Sequence, residues 1–321
     1  MSNNVPKNKF FSRLIQLDLT SNKVSIRQII RKNLQATIAT YQINNGNILN
    51  TNQIISLLSD KIALQNSPDF SPLVYCSAIT FPLANIYSLS PAQVGQELVS
   101  LLASKPQAST RTLKLQLTAT VLTNGLIEFA LCDRSIGWWL AGIMDWGDGG
   151  MGEWGVGEMG SWGDGEMGEQ NLFPVQYVHH RCRSILLLGE REGLITLEKG
   201  KYTTNAWKIT NPNLFEYYWG ENLSCYYETA EIYLLQQISL IIDYFCDRVP
   251  DKSLSSDKVK NSQTWVQLSL NLSDAGLKFL AACRIFGSVA VEQRQLAIAR
   301  LGLISIVQSC LSLGKKNTSN M

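Results

Sequence analysis

Histidine is nearly absent from this chain: of 321 residues only two are histidine, adjacent at positions 179 and 180. A metal site would have to draw on that pair. Only His179 shares a helical face with the nearby thiol of Cys182, and no second cluster supplies the remaining ligands of a tetrahedral set. Long apolar runs are also missing. The longest, 136–144 and 238–242, fall far short of the roughly 20 residues that cross a bilayer. Paired cysteines are missing too: the seven lie scattered at 76, 132, 182, 225, 246, 283 and 310, never as C-x-x-C. That pattern points to reduced thiols packed as small apolar side chains. The opening MSNNVPKNKFF carries no apolar core of a secretory signal, so a cytoplasmic location is expected. No G-x-G-x-x-G follows a strand pattern, and no glycine-rich loop ends in Lys-Ser or Lys-Thr. No cofactor and no metal are therefore expected.

What is present suits a folded chain. Hydrophobic residues make up 45% and charged residues 17%, and the length suggests about two domains. The net charge of +2 conceals an uneven layout, because residues 146–169 hold six Asp and Glu and no Lys or Arg. The mildly basic flanks permit nucleic-acid contact without demanding it.

Apolar spacing predicts a helix over 23–41, opened by a Ser25 and Gln28 capping box, with Ile26, Ile29, Ile30, Leu34, Ile38 and Tyr41 on one face. A second helix is expected near 53–64. Residues 66–89 read as loop-rich, with prolines at 68, 72 and 82 and one short strand over 73–79. Ser90, Pro91 and Gln93 then mark the start of another helix, which stops before Pro106. Residues 113–121 alternate apolar and polar, Asn124-Gly125 is a hairpin turn, and 126–131 forms the return strand. Helices plus a hairpin or small antiparallel sheet make residues 1–145 an α+β domain.

Three octads of the form W-G-x-G-x-M-G-x follow, beginning at Trp146, Trp154 and Trp162. So many glycines make helix or strand entropically costly, and 146–170 reads as a flexible acidic linker. An acidic, aromatic-bearing tether that binds a partner or displaces nucleic acid is the alternative. Its carboxylates, on a flexible chain, cannot be held at catalytic spacing.

Residues 173–188, FPVQYVHHRCRSILLL, read as an amphipathic helix. Pro174 fits a first turn, Val175, Val178, Cys182, Ile185 and Leu186 recur at helical spacing, and Tyr177, His179, His180, Arg181 and Arg183 form a polar, cationic side. A polar loop or short hairpin over 199–213 and an aromatic-rich stretch at 215–219 and 226–227 come next. Those aromatics fit either a core or a stacking platform for unpaired bases. Helices over 226–245, 265–288 and 292–313 complete an all-α bundle over 171–321, with Gly314 as the stop.

The spelling Tyr177-Val178-His179-His180-Arg181-Cys182-Arg183-Ser184-Ile185 resembles the opening of the DALR anticodon-binding domain of arginyl-tRNA synthetases. There the family reads tyrosine-alanine-histidine-alanine-arginine and then serine-isoleucine. Arg300-Leu301-Gly302-Leu303 stands where the family has arginine-leucine-alanine-leucine, and Leu313-Gly314 precedes a terminal Met321 as the family's glycine precedes its last methionine. Gly125-Leu126-Ile127-Glu128-Phe129 is similar to the strand that ends the synthetase's additional N-terminal domain, with Leu126 and Glu128 in place of phenylalanine and asparagine. Neither histidine is followed by glycine, no KMSKS-like loop occurs, and the octads stand where the catalytic domain would be.

The resemblance implies a non-catalytic tRNA-binding protein, an excised synthetase that reads the anticodon stem-loop and touches the tRNA elbow. It implies Tyr177, His179, Arg181, Arg300 and Met321 as RNA-binding residues, with arginine on phosphate and Tyr177 or Met321 against an unstacked base. Tyr177 equally fits helix packing, and Arg300 an intrachain salt bridge. The alternative function is a protein-interaction module that kept the fold and binds a synthetase or translation factor.

Overall fold

A computed structural model describes residues 9–18, 25–45, 62–65, 73–104, 114–153, 172–199, 207–210, 214–215, 228–248 and 265–312. The protein is a mixed α/β structure with a small five-stranded antiparallel sheet and a C-terminal helical region. It divides into two compact units, Met1–Ile136 and Gly137–Met321.

The first unit is built on five antiparallel strands in the order β1-β4-β5-β3-β2. They are β1 (Lys9–Asp18), β2 (Ile62–Gln65), β3 (Val74–Ser77), β4 (Lys114–Leu122) and β5 (Ile127–Leu131). The expected hairpin is the β4–β5 pair. Its turn closes through the Gly125 N–H donating to the Leu122 carbonyl at 2.8 Å, with Gly125 at φ 91°. A side chain is excluded there twice over, by the left-handed backbone and because a Cβ would lie 2.4 Å from Pro91. Register places Ile15 beside Leu117 and Ala119 beside Phe129, all buried, while Leu14 and Thr118 share the opposite, exposed side.

Three helices pack with this sheet: α1 (Ile26–Asn45), α2 (Thr80–Tyr87) and α3 (Pro91–Ser104). Helix α3 lies on β1 and β4, and α1 lies on α3 and reaches β1 and β2. Both capping residues act as the spacing predicts. The Gln28 N–H donates to the Ser25 hydroxyl at 3.0 Å. At α3 the box is reciprocal: the Gln93 N–H donates to the Ser90 hydroxyl at 3.3 Å, and the Ser90 N–H to the Gln93 side-chain oxygen at 3.2 Å.

Several expectations are corrected here. Residues 62–64 belong to strand β2, not to a helix over 53–64; residues 53–61 lie outside the described residues. The stretch 66–89 contains helix α2, because Pro82 occupies its first turn, where the missing N–H breaks no helical bond. Strand β1 has no counterpart in the sequence reading. Its exposed Phe10 and Leu14 blur the alternation, and its pairing with β4 joins residues about a hundred positions apart.

Helix α4 (Asp133–Glu153) is the largest departure. It runs through the whole first octad, so 146–153 is helical rather than linker, despite glycines that each cost about 1 kcal/mol against alanine. The helix is seeded by buried Ile136, Trp139, Leu140 and Ile143, and its start is tied to β4 by the Gln116 N–H donating to the Ser135 hydroxyl at 2.6 Å. The expected boundary near residue 145 falls inside α4. The second and third octads lie outside the described residues.

The second unit carries α5 (Phe173–Arg191), α6 (Thr229–Arg248), α7 (Trp265–Ala282), the short α8 (Ser288–Glu292) and α9 (Arg294–Ser312). It is not strictly all-α, because β6 (Leu197–Lys199) and β7 (Trp207–Ile209) form a two-stranded hairpin. Helix α9 packs against α5, α6, α7, α8 and β7 and is buried all round. It is long and apolar enough to cross a membrane, but 89% of that window is buried inside the fold, which is the pattern of a core helix.

Candidate nucleic-acid interface

Helix α5 divides cleanly into two faces. Val178, His179, Cys182, Leu186 and Gly189 are buried. Gly189 sits where a Cβ would come within 2.8 Å of Leu301, which lets α5 approach α9 closely. On the outer face Phe173 is 65% and Tyr177 48% exposed, and their rings stack with centroids 6.1 Å apart. His180, Arg181, Ser184 and Leu187 continue this exposed side. Phe173, Tyr177 and Arg181 are four residues apart in turn, so two aromatic rings and a guanidinium form one stripe.

The stripe runs into an open cleft of about 300 Å³ between α5 and the segment that joins α7 to α8. Ile185, Leu280, Ile285 and Phe286 give it apolar walls, and Arg181 and Arg284 stand at its rim. Among the described residues no carboxylate lines it.

Behind the cleft lies a buried ion pair. Arg300, only 6% exposed, sits 3.6 Å from Glu231 through Nη2 and donates from Nη1 to the Arg284 carbonyl at 2.7 Å. Guanidinium geometry allows both contacts at once, because its donors diverge in a fixed fork.

The sequence-derived residues therefore separate. Tyr177 and Arg181 are exposed on one face, as an RNA contact requires. His179 is 3% exposed and packs inward, because it shares the Cys182 and Leu186 side of the helix. Arg300 is the intrachain salt bridge rather than a surface cation, because α9 is buried on every side. Neither offers itself to a ligand in solvent. Met321 lies outside the described residues. Of the aromatic stretch, Phe215 is fully buried and packs on Gly302, and the remaining rings lie outside the described residues. Arg284 and Phe286 escaped the sequence reading, since nothing within a few residues marks where α7 ends or which helix its end will meet.

Three thiols of this unit, Cys182, Cys283 and Cys310, are held protonated. Burial pushes Cys182 and Cys310 up to about 12, and Cys283 likewise, with the Glu231 carboxylate adding to burial there. A thiol held protonated is no nucleophile at neutral pH. Among the described residues no group of three or more His, Cys, Asp or Glu could hold a metal ion.

A pH dependence follows from those shifts. Below about pH 9 the thiols are protonated in folded and unfolded chains alike, so nothing is lost. Between about pH 9 and 12 the unfolded chain releases protons that the folded chain keeps, and stability falls by up to about 1.4 kcal/mol per pH unit for each thiol. Thermal melts from about pH 8 to about pH 11 should show this decline, and the Cys182→Ala/Cys310→Ala variant should flatten it. An equal slope in the variant would contradict the assignment.

The second unit is thus a helical domain with a cationic-rimmed cleft beside an exposed aromatic stripe. No protein family, curated protein or solved structure matches the chain.

Proposed function

We propose that this chain is a non-catalytic tRNA-binding protein of the cytoplasm, built like an arginyl-tRNA synthetase without its catalytic domain. In this reading the second unit is a DALR-type anticodon-binding domain, and the first unit reaches the tRNA elbow. One observation supports it above the others: Tyr177 and Arg181, the residues the motif assigns to RNA, lie exposed on one face of α5 beside an apolar cleft with a second arginine on its rim. An aromatic ring next to a guanidinium and a base-sized apolar recess is the chemistry that holds unpaired bases and their phosphates. His179 and Arg300 support that surface from within.

The test is binding to a panel of tRNA transcripts, arginine acceptors included, at low and at physiological salt. Expected is saturable binding that weakens with salt and prefers one anticodon group. Arg181→Ala should weaken it about tenfold and lower the salt slope by about one. No saturable binding at micromolar protein and low salt would overturn the reading. Retention of a synthetase or translation factor in its place would favour the protein-partner alternative, for which exposed Phe173 and Leu187 supply apolar surface on the same helix.

A further inference from the structure

The cleft beside α5 has a size, a charge and a support of its own. Resting on the tRNA-binding reading, we propose that it takes a single unstacked nucleotide of single-stranded RNA, with phosphate at Arg181 and Arg284 and the base against Ile185, Leu280 and Phe286. Arg300 acts as the positioning residue that sets Arg284.

Size argues for one nucleotide. A recess of about 300 Å³ is at the lower end of small-ligand sites and is far too small for a duplex. Charge argues for an anion: two exposed guanidiniums flank the opening, and among the described residues no carboxylate lines it and no ion pair engages either arginine. The walls argue against a bare anion, because Phe286 and four aliphatic side chains, Ile185, Leu188, Leu280 and Ile285, offer nothing to phosphate and a broad surface to a base. An apolar protein side chain would suit the walls but leave both guanidiniums without a counter-charge.

The support is specific. Cys283 ends the helical hydrogen bonding of α7, its N–H donating to the Phe279 carbonyl at 2.8 Å, and Arg284 sits next, in the non-helical segment between α7 and α8. Its carbonyl is instead held by Arg300 from α9, at 2.7 Å, and Arg300 is itself held by Glu231 from α6. Two helices, α9 and α6, thus fix the height of one rim residue. Arg300 cannot touch the nucleotide, being buried, but its fork decides where Arg284 stands.

Fluorescence anisotropy with short single-stranded oligoribonucleotides, intact tRNA and a duplex RNA control tests this. Arg284→Gln and Phe286→Ala, both on residues at the surface or partly so, should each weaken the oligonucleotides about tenfold, and Arg284→Gln alone should lower their salt slope by about 0.7. Arg300→Lys keeps the charge and loses the fork. It should weaken binding in the parent, lower the salt slope by no more than Arg284→Gln does, and add nothing in the Arg284→Gln background. If Arg300→Lys does not fold, Glu231→Gln takes its place in the cycle. Full-strength tRNA binding by Arg284→Gln and Phe286→Ala would overturn the cleft and leave the tRNA reading standing. Absence of binding by every RNA would overturn both, and additive losses in the double variant would overturn the positioning role alone.

Discussion

Arg300→Met should destabilise the second unit by about 3–5 kcal/mol, the cost of breaking a buried charge pair from one side. Methionine roughly matches the stem of arginine in volume, so packing changes little and the loss reports the charge. Glu231, 1% exposed in its side chain, would keep its carboxylate inside the fold after its guanidinium had gone. The Arg284 carbonyl would lose its donor as well. Replacing both ends with apolar residues, Arg300→Met with Glu231→Leu, should recover most of the loss, since well-packed apolar pairs commonly equal a buried ion pair. Urea denaturation of the single and double variants measures this. A single-variant loss below about 1 kcal/mol would mean that Arg300 reaches water and is not the buried support described above.

Phe215→Ala should cost about 3–5 kcal/mol through the cavity it leaves. The ring is fully buried, and it fits against α9 at the one position where α9 has no side chain: a Cβ on Gly302 would stand 2.8 Å from two ring carbons and 3.1 Å from Leu214. Gly302→Ala would bring the local sequence closer to the synthetase spelling, yet it should destabilise by about 1–3 kcal/mol because the ring has to shift. Leucine at 215 should accommodate part of that, so Gly302→Ala with Phe215→Leu should fall short of the sum of the two single losses. The same experiment separates the two readings of this aromatic stretch. If Phe215→Ala leaves the melting temperature unchanged and weakens RNA binding, the ring is a stacking platform and not a core residue.

Much of the secondary structure was legible because its causes are local. The capping boxes at Ser25 and Ser90, the Asn124-Gly125 turn and the 3.6 period of α5 all operate within about four residues. Where the reading failed, the cause was distant. Strands β1 and β2 are edge strands of the sheet, with too little alternation of their own, and exist because β4 and β3 offer them partners. Helix α4 continues into glycine-rich octad sequence because its apolar first turns are already buried. Helix α2 was hidden by a proline whose position in the first turn makes it harmless.

The candidate site divides along the same line. Tyr177 and Arg181 could be placed together from sequence, because residues four apart on a helix share a face whatever surrounds it. His179 carried a partial cue, since it lies three residues from Cys182 on the side that packs inward. Arg284 and Phe286 carried none.

By itself the sequence determined the local order of this protein: where helices start, where the hairpin turns, and that one helix carries an aromatic residue and an arginine on a single stripe. It did so because caps, turns and helical periods act over a few residues. Only the tertiary structure decided which cations meet water. Arg181 and Arg300 look alike as letters in amphipathic helices, but α5 has an open side and α9 has none, so one guanidinium stands at a cleft and the other is locked behind it.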